Sequence, residues 1–316
     1  MAGPSYSLSV VVPVFNEEAS VPVFLARLEK VLAHLGCAYE IIFSLDPCSD
    51  GTERVVLEHR RRDPRIKLLK FSRRFGQPAA TLAGLHYASG DACVVIDVDL
   101  QDPPELIVEM VARWQDGYHT AYAQRVERKG ESPLRTLVAS CAYWVIDRIA
   151  VVPIPRNTGD FRLMSRTVVD ELKRLKEGHG FLRGMVGLVG YSQIAIPYQR
   201  DERALGKTKY PVIGSIRIGG NGLVGFSSVP LQLVFVVGIA LLALGALSGV
   251  LWLVHALWRV GVAVPGLAPL LLVTSSLQCL ALGIMGEYVG RIYDEVRNRP
   301  LYLVQDAHGF EGRPGA

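Results

Sequence analysis

Two carboxylates at the end of an apolar run are the residues of this chain best suited to chemistry. Asp97 and Asp99 directly follow residues 92–96, a continuous apolar run of the kind that forms a buried parallel strand. They therefore fall at the carboxyl end of a predicted strand, where open α/β sheets bind ligands. Proteins usually hold Mg²⁺ by one or two carboxylates together with substrate phosphates. The pattern predicts a site for a metal ion and a nucleotide diphosphate.

A purely structural interpretation of the same segment is a strand end followed by a helix start. Asp102 would then cap the helix, and Pro103 or Pro104 would occupy its first position, where both residue types are favoured. This explains Asp102 and the prolines but leaves Asp97 and Asp99 without a role. The interpretation as a metal and diphosphate site is therefore favoured.

Further polar residues follow the first three predicted strands. Residues 13–18 end the first strand, Asp46 ends the second, and residues 72–77 carry two arginines after the third. The carboxyl ends of parallel strands meet at one edge of a sheet, so these side chains are expected near Asp97. Asp46 suits a hydrogen bond from a base or ribose, but it also suits a turn, and both interpretations remain open.

The elements that would position these residues alternate between strand and helix. Strands are predicted over 7–14, 39–45, 66–71, 92–96 and 119–123, and helices over 19–35, 52–62, 77–88 and 104–114. Such alternation indicates an α/β fold with a mostly parallel sheet flanked by helices. Neither the glycine fingerprint of dinucleotide-binding folds nor a P-loop is present.

Composition limits the class of protein. The chain has 316 residues, enough for one good-sized domain and an appendage. The net charge of +4 suits phosphate-bearing partners or an anionic membrane face but is too small to indicate nucleic acid. The cysteines show neither metal-site spacing nor a disulfide framework, which fits a reducing, cytosolic side.

Two uncharged stretches near the C-terminus explain the mean hydropathy of +0.26. Residues 233–254 are long enough to cross a bilayer, and residues 260–286 contain a second candidate span over 267–285. Basic residues precede the first span and follow the second, which predicts that the N-terminal domain and both termini are cytoplasmic. The glycine-rich residues 211–228 are predicted to lie in the membrane interface.

Together these motifs resemble the family 2 glycosyltransferases of GT-A fold. The resemblance is carried by residues 13–17, Asp46 with residues 50–52, residues 72–77 and residues 97–104. Four further segments resemble the polyprenyl-phosphate branch, which includes bactoprenol glucosyltransferases and dolichol-phosphate mannosyltransferases: 159–166, 181–184, 203–211 and 286–293. The family commonly has Asp-Asp-Gly-Ser at the second strand end, whereas this chain has Asp46-Pro47-Cys48.

The resemblance implies transfer of a sugar from a nucleotide diphosphate to a polyprenyl phosphate, with Mg²⁺ or Mn²⁺ as cofactor. Asp160 matches the presumed base. The implied metal site is Asp99 with Asp97 and Gln101. The implied donor-binding residues are Pro13, Phe15, Glu17, Asp46, Asp97 and Gln101. The implied lipid-phosphate-binding residues are Arg125, Arg128, Arg135, Arg203 and Lys209.

The implied organisation is a multi-pass protein of the inner cell membrane. Residues 1–210 would form a cytoplasmic GT-A domain, 211–228 an interfacial segment, 229–290 two transmembrane helices and 291–316 a cytoplasmic tail. A homo-oligomer is compatible with this organisation. No nucleic-acid partner is expected.

Several alternatives remain open at this point. Glucose from UDP-glucose is the favoured donor, and mannose from GDP-mannose is the main alternative. Asp160 is equally suited to act as a base or to position the acceptor or sugar. A non-catalytic membrane scaffold is a third possibility because of the altered loop at Pro47. A processive polysaccharide synthase is disfavoured because the chain lacks a Gln-x-x-Arg-Trp motif.

Overall fold

A computed structural model describes residues 6–126, 157–175, 182–199, 234, 236–241 and 267–310 of the chain. The described residues form two compact units. The first contains those up to residue 199 together with 300–310, and the second contains those from 234 to 299.

The first unit is built from strands and helices in alternation. Its strands are β1 (Ser7–Val14), β2 (Ala38–Leu45), β3 (Ile66–Phe71), β4 (Ala92–Val95), β5 (Thr120–Arg125), β6 (Thr158–Ser165), β7 (Gln193–Tyr198) and β8 (Val304–His308). Its helices are α1 (Ser20–Leu35), α2 (Thr52–Arg62), α3 (Gln77–Tyr87), α4 (Leu106–Gln115), α5 (Arg166–Arg174) and α6 (Leu182–Val189). The second unit contains α7 (Leu267–Val296).

All eight strands belong to one sheet in the order β7-β5-β6-β4-β1-β2-β3-β8. The central pairs β4-β1, β1-β2 and β2-β3 are parallel, as is β5-β7. β6 runs antiparallel to both β4 and β5, and β8 runs antiparallel to β3. The predicted α/β class with a mostly parallel sheet is confirmed.

The chain reverses its direction of travel across the sheet after β3. It steps outward from β1 to β2 to β3, and then returns through α3 to β4 on the other side of β1. Because parallel crossovers are right-handed, this reversal places α3 on the opposite face from α1 and α2. A crevice forms at such a point, outside the carboxyl ends of the strands. Here it lies between β1 and β4.

Local sequence explains why the elements beside this crevice form. In α1 the buried residues Val21, Phe24, Leu25 and Leu28 recur at helical spacing and face the core. The helix ends at Gly36, whose φ of 63° is the left-handed conformation that glycine accepts most readily. In α3, a Cβ at Gly84 would lie 2.3 Å from Val11 Cγ1, so only glycine lets this helix approach β1 so closely.

The predicted bounds of β1, β3 and α2 match the structure, and the other predicted elements of this unit are displaced by one to two residues. The start of α4 differs in a way that matters. The helix begins at Leu106 with Glu105 at its N-cap, so the expected helix start at Pro103 or Pro104 is wrong. The Asp102 carboxylate instead accepts a hydrogen bond from Tyr198.

Neither predicted membrane span is confirmed. Of residues 233–254, the structure describes 234 and 236–241, which are helical, and the second predicted span lies within α7. Among the described residues, no helix combines the length and the apolar character that a bilayer crossing requires. The predicted interfacial segment 211–228 lies outside the described residues.

Candidate active site

The carboxyl ends of β1, β2 and β4 and the start of α3 surround a cavity of about 180 Å³. Its lining includes Pro13, Phe15, Glu17, Asp46, Arg74, Gly76, Gln77, Asp97 and Asp99. Five of the six residues predicted to bind the donor are therefore brought together, and Gln101 follows two residues after Asp99. The topology is responsible, because the cavity lies where the strand order reverses.

Asp97 and Asp99 are held in the cavity wall by the turn that follows β4. The Ile96 amide still donates to the carbonyl oxygen of Val11 on β1, at 3.1 Å, and the chain then leaves the sheet. Asp97 Oδ1 accepts from Gln77 Nε2 at 2.8 Å, and Asp99 Oδ1 accepts the Gln101 amide at 3.2 Å. Leu100 has a φ of 60°, a conformation that costs an L-residue roughly 1–2 kcal/mol. Such strain often marks a functional loop.

The donor groups of this turn suit a hard divalent cation. Asp97, Asp99 and Gln101 offer carboxylate and amide oxygens, which are the ligands that Mg²⁺ and Mn²⁺ prefer. Among the described residues, no group of three His, Cys, Asp or Glu side chains is arranged to hold a metal ion. Asp97 and Asp99 are the carboxylates of this turn that would hold such a cation, with substrate oxygens contributing to its coordination.

Asp46 is tied to the loop that follows β3. Its side chain is 3% exposed, and its two oxygens accept the backbone amides of Phe75 and Gly76, each at 2.9 Å. A carboxylate with two amide donors anchors the loop firmly. Nucleoside binding by Asp46 stays a prediction, and its contacts assign it first to holding residues 75–76 beside the cavity.

The loop anchored by Asp46 contributes residues that were not singled out individually from the sequence. Gly76 has a φ of 90°, which favours glycine. The Arg74 guanidinium lies over the Phe15 ring, 4.1 Å from its centroid, and Gln77 binds Asp97. The available signal was position, because this loop follows a strand that ends at the same edge as β1 and β4.

Asp160 lies on β6 and is paired with an arginine from α6. Arg183 Nε lies 3.1 Å from Asp160 Oδ1, and Arg183 Nη1 donates to the carbonyl oxygen of Thr158 at 2.7 Å. Arg183 lies in residues 181–184, one of the segments that carry the family resemblance, but the sequence did not identify it as the partner of Asp160. Arg162, two residues after Asp160 on β6, has a less direct role.

Arg162 is a buried cation beneath this pair. Its side chain is 2% exposed, its Nη2 donates to the carbonyl oxygen of Gly159 at 3.0 Å, and its Nε has no hydrogen-bond partner among the described residues. Burial lowers the pKa of the Arg162 guanidinium to about 10, against the opposing effect of the Asp160 charge. Asp160 therefore lies in a field set by two arginines.

One of the five predicted lipid-phosphate ligands, Arg125, is described. Arg125 ends β5 and lies close to Gly159. A Cβ placed on Gly159 would lie 2.9 Å from Arg125 Nη2 and 3.8 Å from Asp102 Oδ2. Arg125, strand β6 and the end of the turn formed by residues 97–102, which we call the carboxylate turn, therefore meet at Gly159. Arg128, Arg135, Arg203 and Lys209 lie outside the described residues.

Comparison with known proteins agrees with this geometry. Residues 9–173 match the model of the family "Glycosyl transferase family 2". An uncharacterized glycosyltransferase of Bacillus subtilis, YkcC, is 43% identical over 96% of this chain and 95% of its own length. A prophage-derived bactoprenol glucosyl transferase of Shigella flexneri is 36% identical over 95% of this chain and 98% of its own length.

The match to the family covers both the residues that line the cavity and the part of β6 that carries Asp160. It includes the turns after β1, β2 and β4 that form the cavity, and it includes Asp160 and Arg162 on β6. The relatives extend the similarity over almost the whole chain. This chain is therefore a glycosyltransferase of GT-A type α/β fold and belongs to glycosyl transferase family 2.

Proposed function

We propose that this enzyme transfers a sugar from a nucleotide diphosphate to a polyprenyl phosphate, with glucose from UDP-glucose as the first candidate. The observation that carries the proposal is the pair Asp97 and Asp99, which lines the cavity at the reversal of strand order. The relatives named bactoprenol glucosyl transferases support the choice of sugar and acceptor. Mannose from GDP-mannose is the alternative donor.

On the donor side, the site must stabilise the negative charge of the leaving nucleoside diphosphate. Asp99, with Asp97 and Gln101, would hold Mg²⁺ or Mn²⁺, which acts as a Lewis acid toward the diphosphate when bound. Gln77 fixes Asp97 in place at 2.8 Å. Phe15, held under Arg74, offers an aromatic face to the nucleoside.

On the acceptor side, the protein must orient the acceptor phosphate more than it must remove a proton from it. The bond from the sugar C1 to the diphosphate oxygen breaks, and a bond from C1 to an acceptor phosphate oxygen forms. A phosphate monoester has a second pKa of about 6, so its attacking oxygen is already largely ionised at neutral pH. Since Asp160 Oδ1 is engaged by Arg183, a positioning role for Asp160 is favoured over that of a base.

We place the enzyme in the inner cell membrane with its catalytic domain and both termini in the cytoplasm. The charge distribution around residues 233–254 and 267–285 supports this topology. The exposed apolar side chains of α7, among them Leu280, Leu282 and Val289, support the membrane location but not its orientation, because such a surface suits lipid or a partner helix. A reporter fused after Ala316 should be inaccessible from outside intact cells, and one inserted near Val262 should be accessible. The reverse pattern would refute this topology.

The proposed reaction is tested with purified full-length protein and undecaprenyl phosphate. Labelled sugar nucleotides are supplied one at a time, with Mg²⁺, with Mn²⁺ or with a chelator. Metal-dependent transfer from UDP-glucose is the expected result. Transfer from GDP-mannose alone would change the sugar, and no transfer from any donor would overturn the assignment of the acceptor.

A further inference from the structure

A buried tyrosine joins the carboxylate turn to the cation at the end of β5. Tyr198 ends β7, lies in register with Arg125 and is 6% exposed. Its hydroxyl donates to Asp102 Oδ1 and accepts from Arg125 Nε, at 3.3 Å in the second case. Asp102 itself is 2% exposed. One hydroxyl thus connects two charged groups inside the fold.

The two groups that it connects belong to different halves of the site. Asp102 closes the turn that presents Asp97 and Asp99, and Arg125 interacts electrostatically with both Asp97 and Asp102. Gly159 packs against Arg125 and Asp102, so the strand that carries Asp160 depends on the same arrangement. The position of Arg125 is therefore set relative to donor-side and acceptor-side residues together.

The charge states agree with this arrangement. Burial and the neighbouring Asp102 carboxylate together raise the pKa of Tyr198 to about 12, against the opposing effect of Arg125, so the hydroxyl keeps its proton for Asp102. Burial alone would lower the pKa of Arg125. The Tyr198 hydrogen bond and the charges of Asp102 and Asp97 outweigh that effect, and the net direction is upward. Arg125 therefore stays cationic in a partly buried position.

We propose that Tyr198 is a positioning residue that holds the Arg125 guanidinium between the carboxylate turn and the acceptor phosphate. Tyr198 engages the Nε–H of Arg125, and the outer N–H groups of a guanidinium form the fork that recognises phosphate oxygens. The inference rests on the proposed function, because it assigns the acceptor phosphate to Arg125. It adds Tyr198 and Asp102 as the residues that aim this cation.

The test compares Tyr198→Phe with Tyr302→Phe. Tyr302 is a matched control, since its hydroxyl lies 2.8 Å from His86 Nδ1 and the residue does not line the cavity. Transfer kinetics are measured with undecaprenyl phosphate, and binding of this lipid is measured with UDP and Mg²⁺ present. Tyr198→Phe should raise the acceptor Kd and KM roughly tenfold, as expected for one hydrogen bond to a charged group. UDP affinity should change less than about twofold, and Tyr302→Phe should leave all three values unchanged.

A double-mutant cycle separates positioning from general loss of packing. If Tyr198 acts through Arg125, Tyr198→Phe should add little to the acceptor defect of Arg125→Ala. If Tyr198→Phe fails to fold, Asp102→Asn should raise the acceptor Kd in the same direction by a smaller factor. Independent, multiplying defects would overturn the inference, and so would unchanged acceptor binding in Tyr198→Phe. Wild-type enzyme that neither binds nor modifies undecaprenyl phosphate would overturn the proposed function as well.

Discussion

Arg183 Nε lies 3.1 Å from Asp160 Oδ1, and both side chains are roughly one quarter exposed. The pair joins α6 to β6 at the site where Asp160 matches the presumed base of the family. We therefore expect Asp160 to act as an oriented, ion-paired carboxylate, and we expect the two residues to act as one unit.

Replacement of either partner should show this coupling. Asp160→Asn should lower turnover far more than it weakens nucleotide binding, with the shape of the pH–rate profile retained and the acceptor KM raised. Arg183→Ala should cause a similar defect, a loss of roughly ten- to a hundredfold relative to wild type. The double variant should be no worse than the single variants. Arg174→Ala removes an exposed pair with Glu171 and serves as the control. A large Asp160→Asn defect that reshapes the pH profile would instead identify a base.

The carboxylate pair should make the enzyme dependent on a divalent cation. Asp99→Asn should abolish transfer and weaken nucleotide binding in Mg²⁺ or Mn²⁺, because a ligand to the cation and a negative charge are both lost. Calorimetry with the nucleotide, with and without chelator, measures the binding. Full activity in chelator would refute the metal site, and a circular dichroism spectrum like that of wild type would exclude unfolding as the cause.

Asp46 should matter for stability and for the donor together. Asp46→Ala leaves the amides of Phe75 and Gly76 without their acceptor, which should cost about 1–3 kcal/mol and loosen the loop beside the cavity. Thermal unfolding and nucleotide affinity should therefore both decrease. Asp63→Ala is the control, since Asp63 also accepts a backbone amide, from Arg65 at 2.9 Å, in another turn. A variant that loses nucleotide affinity at full stability would indicate direct contact with the nucleoside.

The ionisation of Glu40 should make the free energy of unfolding depend on pH in the acid range. Burial would raise the pKa of this carboxyl, but hydrogen bonds from Lys67, Ser9 and Ser89 outweigh it and hold the pKa below its ordinary value. Its stabilising contribution is therefore complete above the unfolded pKa and is lost as the pH falls through the native one.

The corresponding variant is Glu40→Gln. It should lower the free energy of unfolding by about 2 kcal/mol near neutral pH. Its difference from wild type should shrink as the pH falls below 4.5, the ordinary pKa of a glutamate side chain. Unfolding monitored over this pH range provides the measurement. Glu105→Gln affects a more exposed pair with Arg27 and should cost less than about 1 kcal/mol. A pH-independent difference for Glu40→Gln would contradict the argument.

The cations that precede the first predicted span should serve the lipid. Arg203→Ala and Lys209→Ala should each raise the polyprenyl-phosphate KM roughly ten- to a hundredfold, by loss of a charge-assisted contact. Sugar-nucleotide affinity should stay nearly unchanged. Loss of nucleotide binding with normal acceptor affinity would move both residues to the donor pocket.

The sequence by itself determined the parallel core and the location of the cavity. Strands β1 to β4 consist largely of buried residues whose composition reflects their local environment. The chemistry of Asp97 and Asp99 follows from their place in the turn after β4. Position in the chain was enough here, because the carboxyl ends of parallel strands meet at one edge whatever their side chains do.

The tertiary structure alone decided which groups pair. Strand β6 carries Asp160 and Arg162, which interrupt its apolar pattern. Its position between β4 and β5 depends on its pairing with these two strands. The partner of Asp160 is 23 residues away, and the partner of Tyr198 is 96 residues away. Hydrogen bonds and ion pairs over such separations depend on where the folded chain places each donor and acceptor. Residue type and local spacing carry no information about that placement.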